Sequence, residues 1–531
     1  MEILKQLTDE FNLRPEHAKN VVDLLDEGNT IPFIARYRKE MTGAIDDQVL
    51  RKFADRYEYL QNLQKRKEEV AKAINEQGKM TEELQADIDA CTTLTEIEDV
   101  YRPFKQKKKT RASVAVEKGL KPLADFILEQ NGDPYSEAEK YIDAEKGVED
   151  AASAVAGARD IIAEVISDNA ELRKKLRALF ENHGEIQVKM VQDDEKGTYA
   201  MYADYAELVP EIKNHRVLAI NRGEKEGCLK VKLYFNPEMA KRVCAAKFVH
   251  TKGACADIIT EAADDGYDRL IEPSIEREVR AILTDRASEQ AIKMFEVNLR
   301  PLLLQPPVKG KVTMGLDPGY RTGCKVAVVD PTGKVLATSV IYPTHNNRVD
   351  EAKQIVKDLI KRCRVNVIAI GNGTASKETE IFVAELLKEI EDDVSYAVVN
   401  EAGASVYSAS PLAVEEFPDF DLTLRSAISI ARRLQDPLAE LIKIDPKSIG
   451  VGQYQHDMDK KRLDSVLGGV LEDCVNSVGV DLNTASVSLL RFVAGLNAGI
   501  AKNIVAYREE NGAFSERKQL LKVSKLGAKA Y

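Results

Sequence analysis

VTMGLDPGYRTGCKVAVVDPTGKVLATSVIY, residues 312–342, reads as three short strands in succession. Runs rich in Val and Ile, separated by turn chemistry, mark strands. The first covers 312–316, the second 325–330 after the Pro318-Gly319 turn, and the third 334–342 after Asp330-Pro331-Thr332-Gly333. Asp317 stands where the first strand breaks into the glycine-rich turn. A carboxylate that ends a central strand is poorly solvated unless it meets a cation, a metal or a polar ligand. The plain alternative is an Asx turn, in which Asp317 accepts from the amides of Gly319 or Tyr320.

Downstream, residues 348–363 carry Val349, Ala352, Ile355, Val356, Leu359 and Ile360 at helical spacing, and 365–370 reads as a buried strand. A second helix at 378–390 and a strand at 394–399 follow, with Glu401 just past the end. Three strands, a helix, a strand, a helix and a strand is the order of a ribonuclease H-like α/β fold, whose ligand crevice lies beyond the strand ends. Nucleases of that fold hold two Mg²⁺ ions with three or four acids. Asp317 and Glu401 fill two such positions, and the third acid belongs near the start of the last helix, 423–442. That stretch offers Arg425, Ser426 and Ser429 instead; Asp421 precedes it and Asp436 lies more than about three turns beyond its start. A cation there repels Mg²⁺. The expectation is a degenerate site with Asp317 and Glu401 as vestiges, no enzyme, no metal and no cofactor; a Mg²⁺-dependent nuclease or resolvase is the alternative.

Seven stretches carry a resemblance: GLDPGYRTGCK (315–325), GNGTASKETE (371–380), NEAGASVYSAS (400–410), SIARRLQDPLAELIKIDPKSIGVGQYQHD (429–457), GLNAGIAKNIVAYRE (495–509), NTIPFIARYRKEMTGAIDD (29–47) and EDVYRPFKQKKKTRA (98–112). Together they resemble the Tex family of bacterial transcription accessory proteins over nearly the whole chain. The resemblance implies a YqgF/ribonuclease H-like domain, a helix-hairpin-helix carboxyl terminus and an amino-terminal region of helix-turn-helix-like character. It also implies nucleic-acid binding in transcription, with RNA polymerase or the elongation machinery as partner, and likeness to the core of a eukaryotic elongation factor. Tex proteins usually continue into an OB-fold RNA-binding domain; this sequence stops at Tyr531, so a shortened chain with its second hairpin copy cut off is expected.

The 531 residues, 44% hydrophobic and 31% charged, suit several soluble domains. The expected architecture is multidomain and mainly α, divided as 1–200 helical, 201–308 mixed with a long connecting helix, 309–445 ribonuclease H-like and 446–531 helix-hairpin-helix. Helical patterns cover 46–76 and 81–100, another begins at Ser136, and a long one covers 272–304. Alternating apolar character predicts strands at 186–190, 216–220 and 228–235. Pro306-Pro307 makes 304–311 the best linker. No apolar run approaches the roughly 20 residues of a membrane helix, and MEILKQLTDEFNL lacks a signal peptide's basic start and apolar core, so a cytoplasmic protein is expected. Seven widely spaced cysteines give no disulfide framework or zinc spacing. The six histidines show no ligand spacing either, and His456, near Tyr454 and Asp457, suits a structural polar knot.

A net charge of −11 does not forbid nucleic acid, because phosphate contacts are local. Basic residues gather at Arg36, Arg38 and Lys39 around Tyr37, and at Arg102, Lys105, Lys107, Lys108, Lys109 and Arg111 beside Tyr101 and Phe104. Such a mixture suits phosphates and unstacked bases, though a charge run can equally be a solvated face. At the carboxyl end an apolar helix, 484–492, meets the hairpin Gly495-Leu496-Asn497-Ala498-Gly499 and a second helix at 500–510 with Lys502. A second copy follows with Lys522, the turn 523–527 ending in Gly527, Lys525 within it, and Lys529 beyond. Glycines let such a turn approach a phosphate while the next helix offers free amides and its dipole; a glycine-capped αα-hairpin is the plain alternative. The leading expectation is a monomeric, sequence-independent DNA- or RNA-binding scaffold without membrane contact. A protein-interaction platform with incidental nucleic-acid contact is the other alternative.

Overall fold

The computed structural model describes residues 2–106, 108–192, 197–344, 348–527 and 530–531; Lys107, His345, Ala528 and Lys529 lie outside them. The chain forms two units, Met1–Val22 with Gln48–Glu289, and Asp23–Asp47 with Gln290–Tyr531. No helix among the described residues is long and apolar enough to cross a membrane, and all seven cysteines are free thiols.

In the first unit the helix Asp47–Glu76 matches its pattern, whereas 81–100 is two helices, Glu82–Ala90 and Leu94–Tyr101. The break comes from Thr93, whose hydroxyl caps the second helix by accepting from the Glu96 amide. Three strands form a small sheet in the order β2-β1-β3: β1 (Glu185–Met190), β2 (Asp204–Leu208) and β3 (Leu229–Tyr234). The strand expected at 216–220 is instead part of the helix Asn214–Lys225. A five-residue apolar run fits either state, and here Val217, Leu218 and Ile220 are buried side chains of a helix. Strand β2 escaped the reading because DYAEL offers little alternation.

Beneath these helices lies a buried ionic knot. Arg173, fully buried, donates to Asp99 at 2.7 Å and also to Glu278. Arg177 donates to Asp99 at 2.6 Å and to Glu278 at 2.8 Å. Arg102 joins the edge of the knot, bonding Asp168 at 3.1 Å.

The second unit is built on a five-stranded sheet of β4 (Thr313–Asp317), β5 (Cys324–Val329), β6 (Val335–Ile341), β7 (Val367–Gly371) and β8 (Ser395–Val399). Their order is β6-β5-β4-β7-β8, with β4, β5 and β6 antiparallel and β4, β7 and β8 parallel. Helices Val349–Cys363 and Ser376–Leu387 cover one face, burying Val356, Leu359, Phe382 and Val383 against Met314, Leu316, Ile368 and Ile370. Helix Leu422–Gln435 covers the other through Ala427, Ile428 and Ile430. Gly315 makes that cover possible: a Cβ there would lie 2.2 Å from the Ala427 carbonyl. The helix expected to run over 423–442 stops at Gln435, because Asp436 caps a separate helix, Pro437–Leu441, by accepting from the Ala439 amide.

Two further parts complete this unit. Residues Asp23–Asp47, early in sequence, fold here, and the helix Ile31–Tyr37 packs on the helix Lys460–Val478. At the carboxyl end the helix expected at 484–492 shrinks to Val487–Leu490, followed by Ala498–Asn511 and a 3₁₀ segment, Arg517–Lys522. Ala485, Leu489 and Leu490 still fill the core, from a capped turn.

Candidate nucleic-acid interface

Two tight turns end the chain, and they are copies. In the first, the Leu496 amide donates to the Val493 carbonyl at 3.0 Å, and Gly495 holds a left-handed φ of 87°. In the second, the Leu526 amide donates to the Val523 carbonyl at 3.2 Å, and Lys525 holds a φ of 65°. The copies therefore align as Val493 with Val523, Gly495 with Lys525, Leu496 with Leu526 and Asn497 with Gly527. The first bend starts two residues before the expected hairpin 495–499, and Gly499 lies inside the helix Ala498–Asn511; the second bend falls within the expected turn 523–527.

Each turn is held from below. Asn476, buried on the helix Lys460–Val478, donates to the Phe492 carbonyl at 2.7 Å and accepts from the Ala494 amide at 2.8 Å. Asn503 donates to the Ser524 carbonyl at 2.7 Å. Arg508 donates to the carbonyls of Leu482 and Ala485, fixing the base of the first hairpin. No spacing signal pointed to Asn476 or Asn503, since their partners are main-chain groups that any sequence supplies.

The tips are open. A Cβ added at Gly495 or Gly527 would meet nothing within 4 Å. Asn497 caps the next helix, its Oδ1 accepting from the Ile500 amide at 2.9 Å, and its carbonyl takes the Ala501 amide. The amides of Ala498 and Gly499 have no such partner among the described residues, so the helix end presents donors and its dipole outward. Lys502, Lys522 and Lys525 are exposed beside these turns.

The other basic residues divide. Arg36 and Lys39 are exposed, while Arg38 is half-buried with its guanidinium 4.8 Å from the Phe33 ring centroid. Lys108, Lys109 and Arg111 are exposed. Arg102 is committed to Asp168, and Lys105 pairs with Glu98 beside the Tyr101 ring.

The strand-end crevice brings Asp317 and Glu401 together. Burial raises the Asp317 pKa above its ordinary value, although a hydrogen bond from Ser426 and the Lys325 charge pull the other way. Burial and then the Asp317 charge raise Glu401, opposed by the Gly373 amide and Arg433. Gly371 and Gly373 make room for Glu401; a Cβ would lie 2.3 Å and 1.6 Å from its carboxylate oxygens. From the helix Leu422–Gln435, Ser426 hydrogen-bonds Asp317 and the Arg433 charge acts on Glu401, while the buried Ser429 hydroxyl has no protein partner. Arg433, 3% exposed, donates to the carbonyls of Asn400 and Ala402 at 2.6 and 2.8 Å, and its Nε and Nη2 have no protein partner. Asp421 and Asp436, the nearest further acids on that helix, are occupied as caps. Among the described residues no group of three acids, His or Cys is placed to hold a metal. Two desolvated carboxylates beside a buried guanidinium do not fit a pair of Mg²⁺ ions. His456 is exposed, its ring 3.5 Å from the Gln455 amide nitrogen.

Comparison with known proteins agrees with this layout. Residues 1–75 match the Tex-like protein N-terminal domain, 129–295 the Tex central region-like domain, 311–435 the Tex protein YqgF-like domain and 475–531 the helix-hairpin-helix motif. The chain is 50% identical to the uncharacterized protein YdcI of Bacillus subtilis, over 99% of this chain and 74% of that one. It is 46% identical to the transcriptional accessory protein Tex of Neisseria gonorrhoeae, over 100% of this chain and 71% of that one. It is 38% identical to the S1 RNA-binding domain-containing protein 1 of Homo sapiens, over 100% of this chain and 55% of that one. A ribonuclease H-like sheet, a paired hairpin and a helical first unit, matched from end to end at this identity, place the chain in the Tex family of transcription accessory proteins.

Proposed function

We propose that this chain grips nucleic-acid phosphates without reading base sequence and acts as a nonenzymatic scaffold alongside RNA polymerase. The observation that carries the reading is the repeated, open turn at Gly495 and Lys525. Each turn brings main chain close to a phosphate, and at the first the Ala498 and Gly499 amides and the helix dipole meet it. Lys502, Lys522 and Lys525 supply counter-charge, and Lys529 extends the series in sequence. Arg36, Lys39, Lys108, Lys109 and Arg111 are further contact candidates, with Lys107 beside them in sequence. Contacts to phosphate position a protein and carry no base information, so DNA and RNA of any sequence are ligands. The names of the relatives support a setting in transcription.

The strand-end crevice is a retired nuclease site in this reading. The buried positive charge of Arg433 acts on Glu440 and, less, on Glu401, where an active site has a metal.

Gel-shift titration of single- and double-stranded DNA and RNA at two salt concentrations tests the proposal. Affinity falls steeply with salt, and Lys522→Glu with Lys525→Glu weakens all ligands together and flattens the slope. A flat salt response, or full binding by that variant, rejects it. Cleavage with Mg²⁺ or Mn²⁺ that disappears in Asp317→Ala rejects the nonenzymatic part.

A further inference from the structure

Strand β8 is the last strand of its sheet, and among the described residues only its inner edge is paired. There the Ser395 amide donates to the Asn366 carbonyl at 3.2 Å, and the Val399 carbonyl accepts from the Asn372 amide at 3.0 Å. In a parallel ladder the residues between turn their main-chain groups the other way, so Tyr396 and Val398 present N–H and C=O outward. Their side chains are 37% and 47% exposed. They pair in register with Ile368 and Ile370, which places them on the face covered by the helix Ser376–Leu387. On that helix Ile381 is 51% exposed.

Edge strands are ordinarily blunted by Lys, Pro, bulges or a covering element. SYAVV has no such residue and no bulge against β7. The opposite edge strand, β6, has an irregular register at Val328/Val329 and packs against the helix Val349–Cys363. Strand β2 of the first unit carries Asp204 and Glu207. Leading into β8 are Glu391, Asp392 and Asp393, all exposed.

We propose that the β8 edge takes up an extended segment of a partner protein as a sixth strand. Alternate apolar residues of that segment pack on Tyr396, Val398 and Ile381, and Lys or Arg at one end meets Glu391, Asp392 and Asp393. A second copy of this chain is disfavoured as occupant, because the residues flanking its own β8, Glu391 to Asp393 before it and Asn400 and Glu401 after it, bring no cation to meet the acidic run. This goes beyond the phosphate-gripping role and does not depend on it.

The probes are two fluorescein-labelled peptides, Lys-Arg-Thr-Val-Thr-Val-Thr-Val and its reverse, titrated with the full chain by anisotropy. One of them binds, and binding weakens by about tenfold or more in Val398→Pro, which removes an outward donor and leaves the ladder to β7 intact. Val398→Lys, which keeps the donor and adds a like charge, gives the same direction of loss. Glu391→Lys, Asp392→Lys and Asp393→Lys together weaken binding of the same peptide, because its Lys-Arg end then meets like charge. Failure of both peptides to bind overturns the proposal, as does undiminished binding by both Val398 variants. A concentration-dependent dimer that Val398→Pro abolishes also overturns it, by assigning the edge to a second copy.

Discussion

Gly495 and Lys525, thirty residues apart, occupy the same place in two copies of one turn, with φ of 87° and 65°. Glycine adopts that conformation freely, whereas a lysine there is strained by roughly 1 kcal/mol. The strained residue puts an ammonium at the tip of the second turn. Lys525→Gly therefore leaves stability unchanged or raises it by up to about 1 kcal/mol, while the salt slope of nucleic-acid binding drops by about one contact. Urea unfolding and gel shifts at several salt concentrations measure the two effects separately. A destabilised variant with unaltered binding contradicts the assignment.

Asn476 ties the first turn to the core. Its amide donates to the carbonyls of Glu472 and Phe492, both at 2.7 Å, and its oxygen accepts from the Ala494 amide. Asn476→Ala leaves part-buried main-chain groups of the turn unpaired, at a cost of about 1–2 kcal/mol. Hydrogen exchange at Ala494 and Gly495 speeds up more than exchange in the sheet, and nucleic-acid affinity falls with it. Equal exchange across both regions shows that Asn476 has no local hold on the turn.

Much of this arrangement was legible in the sequence. Strands β4 to β8 came within about two residues of their observed ends, because buried β-branched runs bounded by Gly, Pro and Asp have few other uses. The capping roles of Asp421 and Asp436 were not legible, since the amides they accept from belong to helices whose ends the sequence placed elsewhere. The run 216–220 was misread because it is apolar on every side and periodicity cannot choose its state. The first hairpin is expected two residues late because Gly495 and Gly499 read as its two ends, whereas Gly499 already belongs to the next helix. Arg102 and Lys105 looked like ligand contacts, yet their partners Asp168 and Glu98 are settled by tertiary packing. Arg433 went unnoticed for the same reason: its carbonyl partners lie in another element.

The ionic knot of the first unit rests on Asp99, which accepts from both Arg173 and Arg177. Asp99→Ala leaves two buried guanidinium groups facing the single carboxylate of Glu278. Removing one partner of a buried pair costs about 3–5 kcal/mol, far more than the pair contributes relative to an apolar replacement. The urea midpoint falls accordingly with little change in slope. A loss below about 1 kcal/mol indicates that water reaches the knot.

Asp317 is held in the crevice against its own electrostatics. Burial raises its pKa above the ordinary 3.8, and the Ser426 hydrogen bond and the Lys325 charge do not make up the difference. A raised folded-state value means that stability is fully present below pH 3.8 and is lost as the pH rises through the folded value. Asp317→Asn keeps an acceptor for Ser426 and removes the charge, so it escapes that loss. Near neutral pH the variant melts above the wild type, and the two melting temperatures converge as the pH falls below the ordinary aspartate value. The change also relieves Glu401, whose carboxyl is raised in part by the Asp317 charge, which adds to the gain in the same direction. Thermal melts across an acid-to-neutral series measure the difference directly. A variant less stable than the wild type at neutral pH means that the Asp317 charge is held favourably, which a retired site does not require.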